Sequence, residues 1–277
     1  MRFEKHLNKT FKGANQRDSL YDIYLPNLKS SNGLIVFLHG YKGFKDWGCW
    51  DKMAEYFANY QFTVLKLNFS HNGGTTANPI DFPDLEAFAN NRLSYEVEDV
   101  KLAYEEASQQ FDISHLPLYL MGHSRGGGIA QLITGRQVLK VDKLVLLASV
   151  SDFASRFPWD KKEWKKNKTV FVENTRTKQQ LPHHYSFYQD FLDHKSELDV
   201  SKWAKKIDCE TLILSGEKDL AISAEETEAI KNNIKDNESY VIAGANHVFN
   251  CNHPYEVKSM PRKFEMALKT IRDFLKQ

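Results

Sequence analysis

Short apolar runs recur along the chain: YDIYL at 21–25, GLIVFL at 33–38, FTVLKL at 62–67, PLYLM at 117–121, KLVLLA at 143–148, ETLILS at 210–215 and ESYVIA at 238–243. Their brevity and near-continuous apolarity predict strands of a sheet covered on both faces, since a strand with one wet face would alternate polar and apolar positions. Between them, Val97, Val100, Tyr104, Ala107 and Phe111 follow one another in steps of three and four, and Phe264, Leu268, Ile271 and Leu275 repeat that rhythm near the end. Such spacing predicts helices with one apolar stripe. Strands alternating with helices imply right-handed crossovers and a mostly parallel sheet. The first segment, 1–26, reads instead as an antiparallel hairpin leading into that sheet.

One stretch breaks the alternation. Residues 153–207 hold Trp159, Trp164 and Trp203, a KKEWKKNK run, and the aromatic cluster His183, His184, Tyr185, Phe187, Tyr188. A structureless loop of that length does not suit a compact domain, so an inserted cap with its own helices or a hairpin is expected there. The whole, 1–277, is expected to be one α/β domain carrying that cap.

Composition narrows the function. Lys plus Arg number 37 against 36 Asp plus Glu, a net charge of +1, which provides no global field for nucleic acid or an anionic membrane. Apolar residues at 42% and charged residues at 26% are ordinary globular usage. No run approaches the ~20 apolar residues that span a bilayer, and the first residues lack a signal-peptide core, so a soluble cytoplasmic protein is expected. Cys49, Cys209 and Cys251 are odd in number and scattered, which suits reduced, packed thiols better than a disulfide framework.

The chemistry begins at PLYLMGHSRGGGIAQLI, where Gly122-His123-Ser124-Arg125-Gly126 follows a predicted strand and opens a predicted helix. In a G-x-S-x-G elbow the serine sits on a strained turn at the carboxyl edge of the sheet, and small flanking residues let strand and helix approach. Ser124 is thus the candidate nucleophile; His123 reads as a packing residue. Acyl transfer also needs donors for the developing oxyanion. The backbone N–H of Arg125, directly after the nucleophile, is one candidate, and that of Tyr41, in the HGYKG loop after the strand at 33–38, is the other. A serine hydroxyl needs an imidazole to take its proton and a carboxylate to orient the imidazole. Downstream, SGEKD presents Asp219 just past one strand and GANHVF presents His247 just past the next. Glu217 and Asp152 are rivals for the acid.

His247, Cys251 and His253 form an H-x₃-C-x-H cluster, but a zinc site needs a further ligand that nothing signposts. The expectation is chemistry with no metal and no cofactor. KKEWKKNK interleaves Lys with Trp as a nucleic-acid patch can, yet with no binding fold around it a solvated cap surface is the better reading.

At HGYKGFKDWG, NFSHNG (68–73), GHSRGG, SGEKD, GANHVF and the HP at 253–254, the sequence resembles the α/β-hydrolase superfamily. Within it the likeness is to small bacterial hydrolases of serine aminopeptidase-like, dienelactone hydrolase-like and cinnamoyl/feruloyl esterase-like kinds. The resemblance covers nearly everything but the cap. It implies an eight-stranded, mostly parallel sheet, a triad of Ser124, Asp219 and His247, and an oxyanion hole from Tyr41 and Arg125. The expected activity is hydrolysis of a small-molecule carboxylic ester with a small or medium acyl group, aromatic groups being candidates, through an acyl-enzyme. An aminopeptidase-like or acyl-peptide hydrolase is the enzymatic alternative, which would require an acidic subsite, with Asp190, Asp193 or Glu197 of the cap as candidates. A non-catalytic binding protein is the alternative from another class.

Overall fold

A computed structural model describes residues 3–27 and 31–277. In chain order its elements are β1 (Phe3–Lys12), β2 (Asp18–Pro26), β3 (Leu34–Leu38), α1 (Trp50–Asn59), β4 (Thr63–Leu67), α2 (Leu85–Ala89), α3 (Leu93–Gln110), β5 (Leu118–His123), α4 (Arg125–Gly135) and β6 (Lys143–Leu147). Then come α5 (Lys161–Asn167), β7 (Thr169–Glu173), β8 (Gln180–His184), α6 (Tyr185–Asp193), α7 (Val200–Ala204), β9 (Glu210–Gly216), α8 (Ala224–Asn233), β10 (Asn237–Ile242) and α9 (Arg262–Leu275). Each apolar run of the sequence coincides with a strand of the main sheet. The opening hairpin is β1 paired antiparallel with β2; positions 1–2 of its expected span lie outside the described residues.

Among the described residues the main sheet has eight strands in the order β1-β2-β4-β3-β5-β6-β9-β10. From β4 to β10 every pairing is parallel, and only β1 and β2 run against their neighbours. Strand β3 explains why the sheet is sealed on both faces. Leu34, Val36 and Leu38 join a core with Val97, Val100 and Ala103 of α3 and with Ile129 and Ile133 of α4. Ile35 and Phe37 point into the opposite layer, among Trp50, Met53 and Phe57 of α1 and Phe264, Leu268 and Ile271 of α9. Period-2 side-chain alternation thus feeds two helical layers, and no position of β3 has a polar role left to play.

The insertion between β6 and β9 holds two helices and a separate antiparallel hairpin, β7 with β8, before α7. Its α5 buries Trp164 and turns most of its lysines to solvent. Phe187 and Phe191 of α6, and Val200 and Ala204 of α7, belong to the same core cluster as α3 and α4, so the inserted segment is packed down onto the main body.

Candidate functional site

Strand β5 ends at His123 and α4 begins at Arg125, leaving Ser124 alone in the turn with φ 55° and ψ −117°. A positive φ on a residue with a Cβ costs ~1–3 kcal/mol and persists only where the surroundings enforce it. The enforcement is visible. A Cβ on Gly122 would lie 2.3 Å from the Gly126 carbonyl oxygen, and one on Gly126 would lie 2.4 Å from the Leu38 oxygen, both far inside contact distance. The turn is also tied to the neighbouring strand, Ser124 N donating to Leu147 O at 2.9 Å. Ser124 lines a cavity, and its hydroxyl has no hydrogen-bond partner among the described residues; in ligand-free sites such bonds commonly close only around substrate.

His247 lies in the loop after β10 and Asp219 in the loop after β9, and the parallel pairing of these strands sets the loops side by side. His247 Nδ1 is 2.9 Å from Asp219 Oδ2. The other carboxylate oxygen accepts the N–H groups of Ala221 at 2.8 Å and Ile222 at 3.0 Å. Burial works to raise the Asp219 pKa, but the hydrogen bond and charge of His247 and the two backbone donors outweigh it and hold the carboxyl below its ordinary value. An ionised Asp219 makes Nδ1 the protonated ring nitrogen and leaves Nε2 as a lone-pair acceptor. The rival acids are engaged elsewhere. Asp152 accepts from Ser155 N and Oγ, each at 2.8 Å, and Glu217 from Gly244 N at 2.7 Å.

His123, expected only to pack, does more. Its Nε2–H donates to the His247 carbonyl at 2.9 Å, with the two rings 4.8 Å apart. Burial, and then the neighbouring His247, pull its pKa to about 3, so it stays neutral.

Tyr41 follows β3 in a tight loop closed by Gly43 N donating to Gly40 O at 3.1 Å. Its N–H has no partner among the described residues. The N–H of Arg125 opens α4, where first-turn donors lack intrahelical acceptors. The two side chains also meet, the Arg125 guanidinium standing 4.3 Å from the Tyr41 ring centroid and pairing at 3.2 Å with buried Glu96.

Two cavities meet at Ser124, Tyr41 and His247. One, of about 380 Å³, runs under the insertion between Trp159, Phe187, Val150 and Ile222, with Arg125 and Arg156 at its walls. The other, of about 230 Å³, is bounded by Trp47, Trp50, Asn174 and Arg176. No Asp or Glu among the described residues lines either one. A wider hollow of about 820 Å³, lined by Asn32, Gln61 and Leu275, contains none of the candidate residues.

One expectation changes. Cys49 and Cys251 are not free thiols: they are joined as a disulfide with Cα atoms 5.6 Å apart, while Cys209 is free. Their separation of 202 residues hid the pairing, since only the fold brings the start of α1 to the loop beyond His247. The H-x₃-C-x-H cluster is dispersed among other partners: His253 Nδ1 accepts from Gly48 N at 3.0 Å, Cys251 is in the disulfide, and His247 holds Asp219. Among the insertion's aromatics, Trp159 and Phe187 line the cavity, whereas Phe157, Tyr185 and Tyr188 pack among Trp164 and Phe191 as the insertion's own core.

Comparison with known proteins agrees with this architecture. The structure resembles Est1E from Butyrivibrio proteoclasticus, solved with ferulic acid, with a TM-score of 0.73 at 15% identity over 96% of this chain and 98% of that one. A putative hydrolase from Agrobacterium vitis S4 gives 0.73 at 15% identity over 99% and 100% of the two chains. A dienelactone hydrolase from Anabaena variabilis gives 0.68 at 13% over 100% and 98%. Identities this low speak for the fold alone. No curated protein matches the sequence. No helix among the described residues is long and apolar enough to cross a membrane. Residues 29–199 match the family model described as serine aminopeptidase, S33, and the chain therefore belongs to that family, as a hydrolase of the α/β-hydrolase superfamily.

Proposed function

We propose that the chain is a carboxylic ester hydrolase working through an acyl-enzyme on Ser124. His247 takes the hydroxyl proton and later returns it to the leaving alcohol, Asp219 holds the imidazole tautomer, and the N–H groups of Tyr41 and Arg125 receive the oxyanion. The observation that carries the reading is the Asp219–His247 hydrogen bond of 2.9 Å beside a serine held at positive φ in the wall of a cavity. Two oriented N–H donors would lower the acylation barrier by several kcal/mol, roughly 3–4 for a single donor. The chemistry assigns no step to a metal or a cofactor. The cap reading of the insertion belongs to the same proposal, with Trp159 and Phe187 as the apolar wall for a small or medium acyl group, aromatic groups included.

The family's description favours a second reading, cleavage next to a free amino group. That activity needs a carboxylate to receive the substrate ammonium, and the cavities lack one. Asp190 is held by Ser94 Oγ at 2.6 Å, Asp193 by Gln189 at 2.8 Å, and Glu197 faces Arg136 at 3.5 Å. The lining is instead cationic, which disfavours an ammonium.

A panel of p-nitrophenyl acyl esters, methyl ferulate and aminoacyl anilides, run with fluorophosphonate labelling of the native chain and of Ser124→Ala, tests the proposal. Ester turnover and labelling that both disappear in Ser124→Ala are expected, with a fall of several powers of ten, ~10⁶ for a nucleophile acting within a triad. Preferred turnover of anilides would move the assignment to the peptidase reading. Absence of both turnover and labelling in the native chain would point to a binding protein.

A further inference from the structure

The β7–β8 hairpin grips the loop that carries Tyr41 at two adjacent points. Tyr41 Oη lies 2.6 Å from His183 Nε2, and Lys42 Nζ donates to the Glu173 carbonyl at 3.3 Å. His183 is fixed in turn: Trp164 Nε1 donates to its carbonyl at 2.9 Å, and its ring packs 5.2 Å from Phe88 and 5.7 Å from Phe187. Phe187 also lies 5.4 Å from the Arg125 guanidinium, which itself stands over the Tyr41 ring. Both residues whose backbone N–H groups serve as oxyanion donors in the proposed mechanism are therefore connected through their side chains, and the connection ends on the insertion.

We propose that the Tyr41 hydroxyl and His183 form a clamp through which the inserted segment sets the position of the oxyanion donors, making His183 a positioning residue for ester hydrolysis. The inference rests on the ester hydrolase reading. Its physical basis is that such donors work only when held about 2.7–3.1 Å from the developing charge, with little tolerance for displacement. Gly40 and Gly43, beside Tyr41, offer the loop no side chains by which to be held, so the Tyr41 ring and hydroxyl are the anchor nearest the donor. The direction of the bond is fixed over the working pH range. Burial first, then Arg125, Lys42 and His184, pull the His183 pKa to about 3. Burial pushes that of Tyr41 up to about 12 against the opposing effect of Arg125. The tyrosine thus donates and the neutral imidazole accepts.

The experiment measures kcat and KM for p-nitrophenyl butyrate, and affinity for an alkyl boronic acid that forms a tetrahedral adduct with serine. The proteins compared are the native chain, Tyr41→Phe, His183→Leu, the double variant and His183→Gln. The clamp predicts that each of the first two lowers kcat about 10-fold with KM nearly constant, a fraction of the ~10²–10³ lost on deleting a whole donor. The double variant should fall no further than the worse single one, because two groups sharing one interaction are not additive. Boronate affinity should fall in parallel with kcat, and the glutamine amide oxygen should restore part of both. Additive losses, a KM effect at constant kcat, or kinetics unchanged throughout would overturn the clamp. If His183→Leu fails to fold, Tyr41→Phe, which loses a single oxygen, and His183→Gln decide the matter. Native turnover with a labelled Ser124 keeps the parent reading whatever the variants do; its absence overturns parent and clamp together.

Discussion

The loop between β3 and α1 supports two buried polar networks, one around Tyr41 and one around Lys45. In the second, Lys45 Nζ lies 2.8 Å from Asp22 and 2.6 Å from Asp46, and Lys66 Nζ lies 2.8 Å from Asp22 and also contacts Asp46 and Asp51. The three carboxylates could enclose a metal ion, but the lysine ammonium already stands among them. Desolvation opposes the charge on Lys66, and Asp22, Asp46, Asp51 and Tyr24 overcome it, raising its pKa well above the ordinary value. Around Tyr41 the polar groups are as deeply placed, with Glu96 and His183 both buried. There, however, two backbone donors have no acceptor among the described residues, and their residues border an open cavity. Burial and perturbed titration therefore do not separate a site from a scaffold. Unused hydrogen-bonding capacity beside accessible volume does.

The contrast breaks if a variant in one region behaves like one in the other. The largest effect is expected for Asp219→Asn, which should lower kcat by about 10⁴ at a cost in stability of only about 1.5–3 kcal/mol, because the amide no longer enforces the histidine tautomer. A loss under tenfold in a folded variant would move the acid elsewhere, with Asp152→Asn as the next assay. Lys66→Met should do the reverse. Removing one partner from a buried ionic cluster leaves unmatched charge and costs about 3–5 kcal/mol of stability, while kcat per folded molecule stays constant. Denaturant titration and active-site titration separate the two, and a fall in kcat without loss of stability would show that the networks are one. The disulfide at the far end of the same loop comes next. A disulfide typically contributes ~2–4 kcal/mol, mainly through the unfolded state, so reduction or Cys251→Ser should lower the urea midpoint by a matching amount. An unchanged midpoint would mean the link adds nothing to stability.

How much of this the sequence discloses follows from the range over which each signal acts. The strands were legible because β3, β5 and β6 are apolar at nearly every position, and the turn around Ser124 because glycines there meet backbone on both sides. The loops of Asp219 and His247 could be matched because consecutive parallel strands end at the same edge. Contacts that cross the insertion were not legible. Tyr41 and His183 are 142 positions apart, and no local pattern distinguishes a histidine that meets a tyrosine from one that merely packs. Two further signals stand in the sequence. Glu96 interrupts the buried stripe of Leu93, Val97 and Val100 on α3, and Lys66 stands inside the apolar run FTVLKL. A charge at a position where the period demands an apolar residue announces a buried partner, though not which one.

The smallest effect sharpens the comparison through pH. The folded-state pKa of Asp219 lies below its ordinary 3.8, so its contribution to stability is complete above that value and is lost as pH falls through the folded one. Asparagine has no proton to gain there. The stability difference between the native chain and Asp219→Asn, about 1.5–3 kcal/mol for a charged hydrogen bond, should therefore be present at about pH 5 and shrink as pH falls below the ordinary 3.8. Asp46 is held low as well, its burial outweighed by Lys66 and Lys45, so the native chain's loss of stability in acid has at least two sources. Lys66→Met removes support from Asp46, together with Asp22 and Asp51, and leaves the Asp219 source in place. Urea titrations of native, Asp219→Asn, Lys66→Met and double variants at a series of acid pH values would separate them. Independent networks predict acid-limb changes that add in the double variant, since groups without shared partners are additive within about 0.3–0.5 kcal/mol. A larger discrepancy would mean that the loop joining Tyr41 to Lys45 transmits charge changes from the scaffold to the site.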